Sequence, residues 1–157
     1  MKLAAVPVVM LSFVLVVTGI TTPNPTVVGA QRLFAEPDIV RGILRVTRNA
    51  FLWGIGLGAA AHAICTGEAA SVLMFGSIGT LGLAGAPMLD AKKARYHPAE
   101  WRVFADATSS VPFLAIARGR QHLALGEIGW WRIALSMALF FAALYAHHWA
   151  FGAWPLP

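Results

Sequence analysis

Charged residues are scarce in this sequence. Asp, Glu, Lys and Arg together make up 12% of its 157 residues, whereas 58% of the residues are hydrophobic. Soluble domains carry roughly 25% charged residues, so this chain has too little charge to cover a water-exposed surface. We therefore expect lipid to be its solvent. The sequence predicts one domain, residues 1–157, folded as an all-α integral membrane helical bundle.

Several chemical signatures are also missing. A single cysteine excludes an internal disulfide. There is no serine-nucleophile motif, no phosphate-binding glycine loop after a strand and no pair of carboxylates within an apolar segment. These absences argue against a hydrolase, a nucleotide-driven protein and a proton pump. The formal net charge is +5, but the basic residues lie in two loops, which favours anionic lipid headgroups over nucleic acid.

Four apolar segments predict about four transmembrane helices, at residues 3–20, 46–65, 69–89 and 133–151. A signal peptide is the alternative interpretation of the first segment. The TTPNPT stretch ends that helix, and Pro87 is expected to kink or end the third one. In the connector, Glu36-Pro37-Asp38 is predicted to cap a short interfacial helix that runs to Arg45.

The last two crossings are joined by a long amphipathic loop, residues 90–132. Pro98 is expected to start a short helix with Trp101 and Phe104 facing the membrane, and Thr108-Ser109-Ser110 is expected to break it. Close to the end of the loop lies a charged cluster. Two interpretations of it remain open: it recognises a phosphate-bearing partner or lipid, or it is a simple headgroup-facing charge cluster. Its members are Glu127, Arg118, Arg120 and Arg132.

Basic residues are distributed very unevenly about the predicted helices. Eleven of the 12 Lys and Arg residues fall in the two loops on one side of the bundle, and only Lys2 falls outside them. Because positive loops stay inside, these loops are expected to be cytoplasmic and both termini outside. Arg48 and Trp53 are predicted to anchor the second helix at the interface.

A row of small residues leads to a histidine in the second helix. Gly54, Gly58 and His62 follow at steps of four, with Cys65 three residues further on, so all of them share one helix face. Such a face lets a helix or a flat cofactor approach the backbone closely. The third helix carries a ridge of glycines that predicts helix packing. The ridge comprises Gly76, Gly79, Gly82 and Gly85.

Five sequence blocks resemble the NnrU family of integral membrane proteins. They are PNPT, LWGIGLGAAAHAICTGEAASVLMFG, TSSVPFLAIARGR, EIGWWR and HHWAFG, and they span about residues 23–152. The resemblance implies a protein of the bacterial inner membrane associated with denitrification, through nitrite and nitric oxide reduction. It also implies kinship with 15-cis-zeta-carotene isomerase, a haem b enzyme, so isomerase-like activity is an open expectation. Family members usually begin with about two further crossings, which this sequence is expected to lack.

The resemblance gives His62 the position of a haem ligand in the isomerase, and His147 matches the histidine of the terminal block. A neutral imidazole is a common axial ligand of haem iron. The hypothesis is that His62 and His147, with His148 as a substitute, hold haem b near the outer face, while Gly54 and Gly58 leave room for the porphyrin. The alternative is that His62 bonds a neighbouring helix and that the other two histidines lie at headgroup level.

Cys65 is either a redox-sensitive alternative ligand or, more commonly for a free cysteine, a small buried hydrophobe.

The expected partners are the lipid bilayer and either another membrane protein or a second copy of the chain. A non-catalytic assembly partner of another membrane complex, with the glycine ridges as binding faces, is therefore the alternative function.

Overall fold

The computed structural model describes residues 2–154, and the regular structure within them is entirely helical. A short 3-10 helix (Gln31–Ala35) lies between the first two α-helices. The α-helices are α1 (Lys2–Thr21), α2 (Ile43–Val46), α3 (Ala50–Thr66), α4 (Ala69–Tyr96), α5 (Pro98–Ala107), α6 (Leu114–Ala117), α7 (Leu125–Ile128) and α8 (Trp130–Phe151). The predicted all-α class is confirmed.

Three of these helices, α1, α4 and α8, are long and apolar enough to cross a membrane. Helix α3 is equally apolar but has 17 residues, a length of about 25 Å at the usual rise per residue. A bilayer core is about 30 Å thick, so α3 alone falls slightly short of it. The four helices correspond to the four apolar segments of the sequence, and α3 is the one packed between longer neighbours.

The long helices pack in the order α4, α3, α1, α8. Glycines bring α3 close to both of its neighbours. A Cβ atom added to Gly54 would lie 2.9 Å from the backbone oxygen of Ser12 in α1, and one added to Gly82 would lie 2.9 Å from the backbone nitrogen of Gly56 in α3. Close backbone approach at small residues is how helices associate where no water drives them together.

Helix α4 does not end near Pro87. It continues to Tyr96, for a total of 28 residues. The predicted end at residue 89 is therefore wrong. Apolar helices tolerate an internal proline because neighbouring helices and local adjustments compensate for the missing donor. As a result, Asp90 and Lys93 belong to the helix rather than to a loop.

The connector after α1 also differs from its prediction. Asp38 does not cap a helix, because its φ of 56° places it in a turn. The next α-helix begins only at Ile43, after Gly42, whose φ is 58°. A side chain at Gly42 would also meet the backbone of Glu127 at 2.9 Å, so glycine is required here by conformation and by space.

Helix α5 begins at Pro98 as predicted, and it ends before Thr108-Ser109-Ser110. Its aromatic residues, however, do not face the membrane. Trp101 and Phe104 are buried, and they form a core cluster with Leu44 of α2. The expectation was wrong because α5 folds back over the connector, which gives these rings a protein surface to cover.

Candidate functional site

His62 lies near the C-terminal end of α3, and its level follows from the packing of α3 on α1. A Cβ atom at Gly54 would touch Val16 of α1. His62 lies two helical turns beyond Gly54, and the two helices are antiparallel. His62 is therefore at the level of about Val8, close to the N-terminal end of α1.

His147 lies near the C-terminal end of α8, which also runs antiparallel to α1. The ring of Phe140 packs against the ring of Phe13 with centroids 5.8 Å apart. His147 lies two turns beyond Phe140, at the level of about Val6 of α1. The histidines of α3 and α8 thus share one end of the bundle and differ by about 3 Å along its axis. Helix α1 stands between the two helices that carry them.

The His62 ring is fixed by two contacts. Its Nδ1 atom lies 2.7 Å from the backbone oxygen of Gly58, and because a carbonyl only accepts, Nδ1 carries the proton. The ring also stacks on Phe75 of α4, with centroids 4.8 Å apart and planes inclined by 29°. The Nε2 atom therefore keeps a free lone pair, which is the form of imidazole that binds metals.

Gly54 and Gly58 do not border an open cleft. The Ser12 hydroxyl donates a hydrogen bond of 2.6 Å to the Gly54 carbonyl. A Cβ atom at Gly58 would lie 2.6 Å from that hydroxyl oxygen, and one at Gly54 would lie 2.7 Å from the side chain of Val16. The expected room for a porphyrin beside these glycines is therefore filled by α1, which uses the small residues for its own packing.

The histidines of α8 are held by the residues that follow the helix. His147 donates from Nδ1 to the backbone oxygen of Ala153 at 2.9 Å. The ring of His148 stacks on Trp154, with centroids 4.4 Å apart and planes inclined by 10°. The Nδ1 atom of His148 is buried and has no hydrogen-bond partner within residues 2–154. This nitrogen can therefore still accept a hydrogen bond or bind a metal.

Cys65 is half-buried and carries a free thiol. It lies on the helical turn after His62. Within the described part of the chain, no group of three or more His, Cys, Asp or Glu side chains is arranged to hold a metal ion. A porphyrin brings four nitrogen ligands of its own, so haem iron requires only one or two imidazoles from the protein. Cys65 as a ligand stays a prediction.

The opposite end of the bundle holds a buried polar network. Arg48 and Asp90 form an ion pair of 2.6 Å whose side chains are 12% and 16% exposed. The side-chain amide of Asn49 donates to both Asp90 and Ser110 at 3.1 Å. The Asn49 Oδ1 atom is buried and has no hydrogen-bond partner among the described residues. Arg48 is thus part of the protein interior, and its predicted role as an interface anchor is wrong because α4 brings a carboxylate to it.

Trp53 and Thr47 join this network to the loop after α5. The Trp53 ring nitrogen and the Thr47 hydroxyl both donate to the backbone oxygen of Ser110, each at 2.7 Å. Trp53 is half-buried. The TSSVP segment therefore serves as a backbone anchor for α3. Sequence reasoning missed this network, although a lone Asp at the end of an apolar run was a usable signal for a buried partner.

Glu127 pairs with a residue that the sequence did not suggest. It accepts hydrogen bonds from the Arg45 Nε atom at 2.8 Å and from the backbone amide of Gly42 at 2.9 Å. These bonds, that of Arg45 first, lower the pKa of the Glu127 carboxyl from 4.5 to about 2. The same contact raises the pKa of Arg45. This pair therefore ties α2 to α7.

Two of the three basic residues expected beside Glu127, Arg120 and Arg132, bond other groups. Arg120 donates to the backbone oxygens of residues 105, 106 and 108 at the end of α5. Arg132 donates to the hydroxyl and carbonyl of Thr21 and to the carbonyl of Ile128. Both arginines donate to carbonyls at the C-terminal ends of helices, where unpaired backbone acceptors are costly. They do not form a common charge cluster with Glu127.

The described residues form an all-helical protein with three helices of membrane-spanning length, three histidines at one end and a polar network at the other. The family model described as NnrU protein matches residues 1–155. The chain therefore belongs to the NnrU family, and the match includes α1 as well as the later sequence blocks. No curated protein and no solved structure matches the chain.

Proposed function

We propose that this protein is a multi-pass membrane protein that binds haem b through His62 and serves nitrite and nitric oxide reduction in denitrification. The hydrogen bond from His62 Nδ1 to the Gly58 carbonyl carries the proposal. This bond fixes the tautomer in which Nε2 presents its lone pair, and a fixed imidazole is a better metal ligand than a mobile one. Haem, when bound, supplies one-electron chemistry.

The second ligand comes from the same end of the bundle. His147 also donates its Nδ1 proton to a carbonyl, so its Nε2 atom is free in the same way. His148 is the substitute, because its buried Nδ1 atom has no partner within the described residues. Since α1 stands between α3 and α8, the haem would lie beside α1 rather than in the glycine face of α3, which is already packed.

The membrane orientation forms part of the same proposal. Arg45, Arg48, Arg120 and Arg132 all lie at the end of the bundle away from the histidines. In a bacterial inner membrane, the positive-inside rule places that end in the cytoplasm and both termini outside. The haem would then lie near the outer face.

A haem spectrum tests the proposal directly. Full-length protein expressed with ample haem and purified in detergent is expected to show a Soret band and a stoichiometric pyridine haemochrome. The variant His62→Ala is expected to lose the band. His122→Ala is the matched control, because His122 lies in the loop at the opposite end, and it is expected to keep the band. Colourless wild-type protein would refute haem binding.

The second ligand is tested by separate His147→Ala and His148→Ala variants. Loss of one of two axial imidazoles changes low-spin, six-coordinate haem to a five-coordinate form with a shifted Soret band. We expect that change in His147→Ala and an unchanged spectrum in His148→Ala. If only His148→Ala shifts the band, the substitute is the ligand, and if neither does, the second imidazole does not come from α8.

The alternative, an assembly partner that docks through its glycine ridges, has less support. Gly79 and Gly82 already pack against α3, whereas a Cβ added to Gly76 would meet no atom of the described residues within 4 Å beyond the backbone of its own helix. Isomerase-like activity also has little support, because the glycine face expected to border a cofactor cleft is closed by α1.

Cells that lack the protein are expected to reduce nitrite and nitric oxide more slowly, and His62→Ala is expected not to restore the rate.

A further inference from the structure

A large cavity lies at the polar end of the bundle, away from the histidines. Its volume is about 1200 Å³. The chain just after α1 contributes Thr22, and the start of α8 contributes Arg132, so one wall lies where these membrane-spanning helices end. Phe34 and Val103, from the connector and from α5, form an apolar wall on the other side. Ligand pockets usually occupy about 300–1000 Å³, so the space is sufficient for a headgroup and the first carbons attached to it.

Three charged groups of this cavity already have hydrogen-bond partners. Arg45 bonds both Glu127 and the side-chain oxygen of Gln121. Arg132 has three of its donors bound to the backbone and hydroxyl of Thr21 and to the Ile128 carbonyl. The charges of Arg45 and Glu127 compensate each other, whereas Arg132 keeps its positive charge and its remaining donors. A charged ligand therefore meets Arg132 together with the charges of the rim.

The rim carries four exposed charges that make no ion pair within residues 2–154. Three are carboxylates, those of Glu36, Asp38 and Glu100, and one is the guanidinium of Arg41. A simple anion would be repelled by the carboxylates, and a simple cation would leave the arginine without a partner. A ligand with an ammonium and a phosphate in one headgroup satisfies both signs.

We propose that this cavity holds the headgroup of a membrane phospholipid that carries a primary ammonium, of the phosphatidylethanolamine type. The ammonium lies among the rim carboxylates, and the phosphate lies against Arg41 and the free donors of Arg132. The glycerol carbons lie on Phe34 and Val103. A lipid is favoured over a soluble compound because the ends of two spanning helices form the wall of the cavity, at the depth of lipid headgroups.

Lipid binding by the whole protein tests this proposal. Delipidated protein in detergent is offered phosphatidylethanolamine, phosphatidylglycerol or phosphatidylcholine with identical acyl chains, and retained lipid is counted by native mass spectrometry. Phosphatidylethanolamine is expected to be retained most, because phosphatidylglycerol lacks the ammonium and the quaternary ammonium of phosphatidylcholine has no N–H donor. Equal retention of all three lipids, or a preference for phosphatidylglycerol, would overturn the proposal.

A charge variant ties the preference to this cavity. Glu100→Gln removes one rim carboxylate from an exposed position and is expected to lower phosphatidylethanolamine retention by about twofold to fivefold. Arg41→Gln is expected to act in the same direction through the phosphate. Glu68→Gln, an exposed carboxylate at the opposite end, is the control and is expected to change nothing. Rim variants that match the control would place the bound lipid elsewhere and overturn the assignment.

Soluble phosphoethanolamine tests whether the headgroup binds without the rest of the lipid. At millimolar concentration it is expected to leave the thermal unfolding midpoint of the protein unchanged, because it cannot use the apolar wall. If it raises the midpoint while the lipid does not, the cavity is a site for a soluble compound and the lipid proposal fails.

Discussion

The two ends of the bundle are built differently. At the polar end, hydrogen bonds connect segments far apart in the sequence, as when Asn24 bonds the Arg48 carbonyl and Lys93 bonds the Pro25 carbonyl. At the histidine end, the ring nitrogens bond carbonyls only four to six residues away. Long-range polar contacts fix tertiary structure, whereas local ones fix only a rotamer. The difference indicates that tertiary hydrogen bonds hold the polar end, whereas the imidazoles at the other end are oriented by nearby backbone carbonyls.

The largest expected effect is at the Arg48–Asp90 pair. Asp90→Ala leaves a buried guanidinium without its carboxylate and removes an acceptor from Asn49. Breaking a buried ion pair from one side costs about 3–5 kcal/mol, so we expect a loss of that size in the free energy of unfolding. Chemical unfolding in detergent micelles, followed by tryptophan fluorescence, measures it.

The double variant Arg48→Met, Asp90→Leu separates the loss of the ion pair from the loss of packing. Asp90→Ala leaves the Arg48 guanidinium buried without a partner, and the double variant has no such charge. The double variant is therefore expected to be more stable than Asp90→Ala. Glu68→Ala, at the histidine end of the bundle, is the control, and its free energy of unfolding is expected to stay within about 0.5 kcal/mol of wild type. An Asp90→Ala variant as stable as this control would contradict the view that the polar end holds the fold.

The next effect concerns the contact between α3 and α4. In Gly82→Ala the new methyl group would lie 2.9 Å from the backbone oxygen of Leu52 and from the backbone nitrogen of Gly56. Backbone atoms cannot move aside cheaply, so overpacking is expected to cost about 1–3 kcal/mol. Gly76→Ala is the matched control on the same helix, since its added Cβ would meet no atom of residues 2–154 within 4 Å beyond the backbone of its own helix. It is expected to be neutral or slightly stabilising in the same unfolding assay.

Hydropathy was sufficient to predict the helical class and four apolar helices, because a lipid solvent requires long runs without charge. The glycine spacing likewise predicted helix packing on α3 and α4. Periodicity did not show which face meets which neighbour, so the space beside Gly54 was assigned to a cofactor when α1 occupies it. Pairing of helices is a tertiary property that one helix does not encode.

The polar network could not be predicted from the sequence, for a related reason. Asp90 looked like the first residue of a loop because Pro87 suggested an earlier helix end. Its partner Arg48 looked like a headgroup anchor, since a lone arginine beside an apolar run usually snorkels. Only the packing of α3 against α4 brings the two together. The common level of His62 and His147, by contrast, follows from segment order and the antiparallel arrangement alone.

A smaller effect on stability is expected at the histidine end. His62→Phe removes a bond to a carbonyl on the preceding turn but keeps an aromatic ring against Phe75. We expect the free energy of unfolding to change by less than about 1 kcal/mol. The same variant is expected to lose the Soret band, so stability and pigment would separate. A loss of stability as large as that of Asp90→Ala would show that His62 is a structural residue of the bundle.

The smallest effect is a pH dependence of the Arg45–Glu127 contact. Because the pKa of Glu127 is lowered from 4.5 to about 2, its ionised form is favoured in the folded protein. This stabilisation is fully present above pH 4.5 and is lost as the pH falls towards 2. Glu127 is partly exposed, so solvent screening keeps the contribution small. In a series of unfolding midpoints from pH 6 to 3, wild type is expected to fall further than Glu127→Gln, which has no carboxylate to protonate. Parallel curves for the two proteins would show that the contact between α2 and α7 contributes nothing to the stability of the polar end.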